Sequence, residues 1–428
     1  MKKIRFDQRL AIGLMAMLIA FYAGYIGWTY QEGFENAAQG EKPLYTDFTS
    51  TYGAGLLVQR LPVKYLYHQE SMANAQREAG NAAYGGTLDE RQRNAVGFAP
   101  FMYPPPFIAV VAPLGFFSYF GAMTAWFGVT LLPYLAAMRS ILDRDRLAVW
   151  IALAAPPAFY NVMYGQTGFL SAGLIGLGIY YVRQRPWLAG MLIGLASVKP
   201  HLGLLIPLAL LAGGHWRVFA SASATVIAMI VASILGFGID TWYAFIGATI
   251  FHTQGFQHDA FPWPVLTSVL SVAQLSVANL DTAWRIQAGV TSIVIGTVIA
   301  VWWQGPRRPD GFDLQAAVLF SAIPLAVPLI YLYDLPVLVI AVAWLMRDMK
   351  LRGYTGWEVG VILAAMLGLL SAKALGGVPG MPVSVLSITA LFFLSLFRFC
   401  RLMAAGMVRP HEEAEHQQQQ AGQEKSLA

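Results

Sequence analysis

The sequence predicts an all-α integral membrane protein, a bundle of about twelve transmembrane helices with a long first extracytoplasmic loop. Three observations carry this. Of 428 residues, 57% are hydrophobic and 12% are charged, against about 25% charged in soluble domains. Mean hydropathy is +0.54. The basic residues fall in short clusters between apolar runs, the pattern that membrane topology imposes.

The same pattern accounts for the net charge of +5. It reads as positive-inside topology and not as a nucleic-acid surface, so lipid is the expected partner. The single cysteine, Cys400, excludes an internal disulfide.

The first apolar run, Leu10 to Trp28, follows Lys2, Lys3, Arg5 and Arg9. It has no small-residue cleavage site and reads as a retained helix with a cytoplasmic N-terminus. Residues 29–102 form a long polar stretch, expected outside. Within it Leu56, Leu57, Leu61, Tyr65 and Leu66 recur near helical spacing, which predicts partial helix along the membrane surface.

The later basic clusters are Arg139/Arg144/Arg146, Arg183/Arg185, His215/Arg217, Arg307/Arg308, Arg347/Lys350/Arg352 and Arg398/Arg401. All can be cytoplasmic if the chain crosses near 119–138, 147–163, 168–182, 187–199, 201–213, 218–238, 283–303, 314–332, 335–346, 357–373 and 382–400. Residues 103–118 and 262–278 are apolar too, and are read as re-entrant or interfacial. Residues 1–400 then make one membrane domain. Residues 401–428, with Gln417–Gln420 and no apolar periodicity, are expected to be a disordered cytoplasmic tail. The expected location is a bacterial inner membrane.

This parity places the unusual polar residues outside. Asp47 opens the outer loop in Tyr45-Thr46-Asp47-Phe48. It reads either as a helix cap or as a general base at the membrane surface. Tyr103 precedes three prolines, which start a helix or fix an extended segment. Gly165-Gln166 makes a two-helix turn, where Gln166 could donate to a sugar hydroxyl or a phosphate. Lys199-Pro200-His201 interrupts the apolar stretch Trp187 to Ala212. Pro200 breaks the helix, and a lysine there is either an anion site lining a cavity or a snorkelling side chain. Asp334 could pair with Lys199 or Lys373, or cap the next helix. His252, His258 and Asp259 lack a metal-site spacing. Asp281 and Arg285 fit a local ion pair, with Arg285 as a phosphate ligand the alternative. There is no Walker motif, zinc signature or nucleophile elbow.

The order Asp47-Phe48, Tyr103-Pro104-Pro105, Gly165-Gln166, Lys199-Pro200 and Tyr333-Asp334 resembles glycosyltransferase family 87 over roughly residues 45–345. The stretch Gln166 to Trp216 is especially similar to proteobacterial members. The family belongs to the GT-C superfold and is related to mycobacterial polyprenol-phosphate-mannose-dependent mannosyltransferases. The resemblance implies a sugar donor on a polyprenyl phosphate. It also implies inverting transfer to a lipid or glycan acceptor at the extracytoplasmic face, with Asp47 as the base. Relatives carry an arginine after a Ser-Val pair; here Ser268-Val269 is followed by Gln274.

Chemistry fits the resemblance. A phosphate leaving group needs little protonation, so one carboxylate suffices where glycoside hydrolysis needs two. Lys199 suits the charge that grows on the leaving phosphate. Candidate substrate contacts are Lys199, His201, Gln166, Tyr103, His258, Arg285 and Asp334. No metal or other cofactor is expected beyond the donor itself. The alternative is a transporter or flippase of lipid-linked sugars, although no second copy of the Lys199 motif marks an internal repeat.

Overall fold

Among the described residues, the apolar runs fold mostly as helix. The structure is a computed structural model describing residues 8–254, 263–305, 309–375 and 382–427, with side chains described except at 254, 309, 373–375 and 406–427.

The first helix, α1 (Gln8–Ala38), passes the expected end at Trp28 by ten residues. Nothing in Thr29 to Ala38 breaks a helix, and Gln31 donates to Glu35 one turn on at 3.0 Å. The rest of the outer loop is partly helical, as its periodicity predicts: α2 (Phe48–Val58), a 3₁₀ turn at Val63–Tyr67, α3 (Gln69–Ala83) and α4 (Glu90–Asn94). The three prolines follow. They confine the next stretch to a 3₁₀ turn at Pro105–Phe107, a single turn α5 (Ile108–Val111) and a second 3₁₀ turn at Ala112–Phe116.

The apolar segments then appear in the expected order. They are α6 (Tyr119–Ile141), α7 (Leu147–Ala154), α8 (Pro156–Tyr164), α9 (Gly168–Tyr181), α10 (Pro186–Leu195), α11 (Ile206–Ala212) and α12 (Trp216–Phe237). The segment 239–282, expected as loop, contributes α13 (Ile239–Gln254) and α14 (Val269–Val277). The chain finishes with α15 (Leu280–Trp303), α16 (Phe312–Ala326), α17 (Pro336–Arg352), α18 (Gly356–Leu375) and α19 (Val383–Leu427). The last helix therefore runs through the segment expected to be a disordered tail.

Among the described residues, five helices are long and apolar enough to cross a membrane: α1, α6, α12, α15 and the Val383–Ala405 part of α19. The bent pair α7–α8, which turns by 59°, makes a sixth if it is one span. The expectation of about twelve crossings is therefore met by fewer full-length helices. The shorter apolar pieces, among them Gly168–Tyr181, Pro186–Val198 and Phe312–Ala326, fall below the roughly twenty residues of a straight span.

α16 and α17 form the centre. Every residue of α16 except Asp313 is buried, and a helix apolar on all sides belongs inside a bundle. α10 lies tightly on α12, where a Cβ on Gly190 would sit 2.4 Å from the Val218 carbonyl oxygen. A second core, with Phe48, Tyr52, Leu66, Met72, Phe107 and Trp126, joins α2 and α3 to α6.

At the end of the bundle that the charge pattern assigns to the cytoplasm, Arg398 of α19 is 2% exposed. It donates to Asp348 of α17 and Glu358 of α18, each at 2.7 Å. It also reaches the Gly353 carbonyl at 2.9 Å. One guanidinium thus closes three helices around a satisfied charge cluster.

Candidate active site

Four of the segments that parity places outside, at Asp47, Gly165–Thr167, Lys199 and Tyr331–Asp334, meet in one cluster. It is built around a glycine. α8 ends at Gly165, whose φ of +69° suits a residue without a Cβ. A Cβ there would lie 2.5 Å from that of Phe48. This close approach brings Gln166 against the start of α2. The Gly165 carbonyl accepts from the Trp126 indole at 3.0 Å, which anchors the turn to α6.

Gln166 Nε2 donates to Asp47 Oδ2 at 2.9 Å, while its Oε1 accepts from the Tyr103 hydroxyl at 3.1 Å. The Tyr103 hydroxyl also pairs with Thr167 Oγ1 at 3.2 Å. Asp47 precedes α2 in the cap position but makes no side-chain cap bond, so the capping alternative does not describe it. Among the described residues Gln166 is its one hydrogen-bond partner, and Oδ1 is left without one. Burial pushes the Asp47 carboxyl above the usual aspartate range. The Gln166 bond and the charge of Lys199 pull it down in part, and the charge of Asp334 adds to the rise.

Beside this lies a buried ion pair. Pro200 stops α10, and the chain crosses two 3₁₀ turns with Lys199 between them at φ −120°, ψ 78°. Lys199 is 5% exposed and Asp334 2%. Lys199 Nζ donates to Asp334 Oδ1 at 2.5 Å. Asp334 Oδ2 also accepts from the Tyr331 amide at 3.4 Å, so it serves both the ion pair and its own turn. Aromatic faces close the pair in: Lys199 Nζ stands 5.9 Å from the Tyr103 ring centroid and 5.4 Å from that of Tyr333. The Tyr333 ring stacks on Tyr331 at 4.9 Å.

The Tyr331–Asp334 turn is fixed from two sides. The Tyr333 carbonyl accepts from Asn161 Nδ2 at 2.8 Å. It also sits where a Cβ on Gly168 would come within 2.0 Å, so Gly168 admits the turn. The Thr267 amide donates to the Ile330 carbonyl at 2.8 Å, which ties the segment before α14 to the same wall.

The structure thus brings together Asp47, Tyr103, Gln166, Lys199 and Asp334. Of the partners the sequence offered Asp334, the structure shows Lys199, which is a buried, paired cation and not a snorkelling one. His201 is exposed at the break. Arg285 is exposed on α15 and makes no ion pair with Asp281. His258 lies outside the described residues. Sequence reasoning did not single out Thr167, Trp126 or Asn161 as site residues, nor Tyr333 as the ring beside Lys199. Asn161 and Tyr333 did stand next to motifs that were singled out. Trp126 lies inside an apolar span and carried no signal.

A sequence model of glycosyltransferase family 87 matches residues 101–328, just over half of the chain. The chain belongs to glycosyltransferase family 87. Membership decides between the two classes of reading in favour of a membrane glycosyltransferase over a transporter. The matched part of this family 87 chain contains Tyr103, Gln166, Lys199, His201 and Arg285. Asp47 and Asp334 lie outside it and join the site through Gln166 and Lys199. No curated protein and no solved structure compared with the chain matches it.

Proposed function

We propose that this protein is an inverting glycosyltransferase of GT-C type. It moves a sugar, a hexose such as mannose, from a polyprenyl-phosphate donor to a lipid or glycan acceptor. The reaction takes place at the extracytoplasmic face of a bacterial inner membrane. The observation that carries this reading is the arrangement of a half-buried carboxylate, Asp47, held through one oxygen by Gln166 beside a buried lysine.

In this scheme Asp47 Oδ1 accepts the acceptor hydroxyl's proton as that oxygen attacks the anomeric carbon. The bond from that carbon to the phosphate oxygen breaks, and the polyprenyl phosphate leaves as an anion that needs no acid. Lys199 has three N–H donors, of which Asp334 takes one. The others serve the leaving phosphate, whose charge grows in the transition state. Asp334 keeps the lysine in place when no donor is bound, and Tyr103 and Tyr333 line its surroundings. Every step uses the chain's own residues, and none is routed through a metal.

The test is transfer from a radiolabelled polyprenyl-phosphate mannose to acceptors in membranes containing the purified protein. Label moving into a lipid or glycan with inverted anomeric configuration supports the reading. No transfer from any polyprenyl-phosphate hexose, alongside transfer from a soluble nucleotide sugar, would overturn it.

Gln166 is read as a positioning residue, since it touches Asp47 and leaves Oδ1 free. Gln166→Leu is expected to lower kcat about tenfold with little change in KM. It should also move the acid limb of the pH profile upward, because the lost hydrogen bond favoured the carboxylate form. A rise in KM alone, with the pH profile unmoved, would make Gln166 a substrate contact instead.

A further inference from the structure

At the opposite end of the molecule, between α6 and α7, an open groove of about 400 Å³ runs along the outer face of the bundle. Its lining includes Leu132, Leu135 and Val149 together with Arg139, Ser140 and Arg144. Leu132 is 68% exposed, so the apolar wall faces outward, toward lipid. The volume is in the range of ligand pockets. We propose that this groove is a binding site for an anionic glycerophospholipid. Its phosphate would lie between Arg139 and Arg144, and one acyl chain would lie along the apolar wall.

Three observations support that occupant. The first is how the two arginines are brought together. The chain leaves α6 through Asp143 at φ +52° and Arg144 at φ +59°, a conformation that residues with a Cβ rarely adopt. The turn is closed by the Arg144 amide donating to the Arg139 carbonyl at 2.7 Å. Two side chains five positions apart thereby come to line one groove.

The second is the sorting of charge within that turn. Both acids face the other way, toward α17. Asp143 meets Arg347 at 3.7 Å and Asp145 meets Lys350 at 3.6 Å. Arg139 and Arg144 have no carboxylate within 4.0 Å among the described residues. The turn therefore pairs its acids with α17 and presents two unneutralised guanidiniums to the groove. Guanidinium forks suit phosphate oxygens in pairs.

The third is position. The Arg139/Arg144/Arg146 cluster is one that the charge pattern places on the cytoplasmic side, at and just beyond the end of α6, a helix long and apolar enough to cross a membrane. A free phosphate would use the arginines but not the apolar wall, and a zwitterionic lipid would gain less from two positive charges. The groove lies on the far side of the bundle from Asp47, and the inference is independent of the reaction assigned there.

The experiment is native mass spectrometry of the full-length protein extracted from bilayers of equal parts phosphatidylglycerol and phosphatidylcholine. Wild type is expected to retain phosphatidylglycerol in preference. Arg139→Ala/Arg144→Ala should lower that retention about thirty-fold, which corresponds to roughly 1 kcal/mol per arginine at an anionic surface. Both side chains are exposed, so an unchanged Tm is expected. Val149→Phe, with the arginines intact, should lower retention by filling the groove, and inorganic phosphate should not displace the lipid. Equal retention of the two lipids by wild type, undiminished retention by either variant, or displacement by inorganic phosphate would each overturn the assignment.

Discussion

Asp47→Asn is expected to lower transfer by roughly 10²–10⁴-fold, the usual contribution of a positioned general base. Thermal stability and donor binding should stay close to wild type. The reason lies in what Asp47 does not do: it caps no helix and bridges no cation within salt-bridge distance. Asparagine keeps the size of the side chain and can still meet Gln166, but cannot take a proton. The loss should therefore fall on kcat and kcat/KM together. The pH profile offers a second check. Burial holds the Asp47 carboxyl above the ordinary aspartate value of about 3.9. The base works only when ionised, so kcat/KM should rise with pH through a limb above that value and flatten beyond it. Tritiated-donor transfer over a pH series measures both. Turnover of the Asn variant within a few-fold of wild type would remove Asp47 from the chemistry.

Local signals made much of this site legible in the sequence. A proline after a lysine in an apolar run predicts a broken helix with the lysine outside α geometry, and Lys199 sits so between its 3₁₀ turns. A glycine between two apolar runs predicts a turn, and Gly165 makes one in the left-handed region. What stayed hidden was long-range. Nothing in the sequence says that Lys199 meets Asp334, 135 positions away, instead of Lys373 competing for it. Nor could the sequence show that Gln166 turns to Asp47 across 119 positions, because a polar side chain in a turn is compatible with many partners. Helix lengths were the other gap. Polarity begins after Trp28, yet α1 continues through Gly33 to Ala38, because polar residues and a single glycine weaken a helix without breaking it. Charge parity, in turn, counts crossings without measuring them. Broken segments such as α7 with α8, bent by 59°, satisfy it as well as straight ones do.

Lys199→Met is expected to do more harm than the loss of one phosphate contact, because it strands Asp334. That carboxylate is 2% exposed and has Lys199 as its ionic partner. Removing one member of a buried pair costs about 3–5 kcal/mol, enough to halt folding of a marginal protein. The single variant therefore cannot separate a structural lysine from a functional one. Lys199→Met with Asp334→Leu can. Replacing both charges by apolar groups of similar volume is often neutral or stabilising, so the double variant should recover the wild-type Tm. If the ammonium binds the donor phosphate, the recovered protein should still lose roughly 10- to 100-fold in kcat/KM. That matches the 1.5–3 kcal/mol of a charge-assisted hydrogen bond. A loss confined to KM would mean the contact is equal in ground and transition states; a fall in kcat as well would mean that it tightens as the phosphate leaves. Thermal melts beside steady-state transfer kinetics measure the two effects separately. A double variant with both stability and kcat/KM restored would show that Lys199 exists to neutralise Asp334, and the phosphate ligand would then have to be sought at the exposed His201 beside the same break.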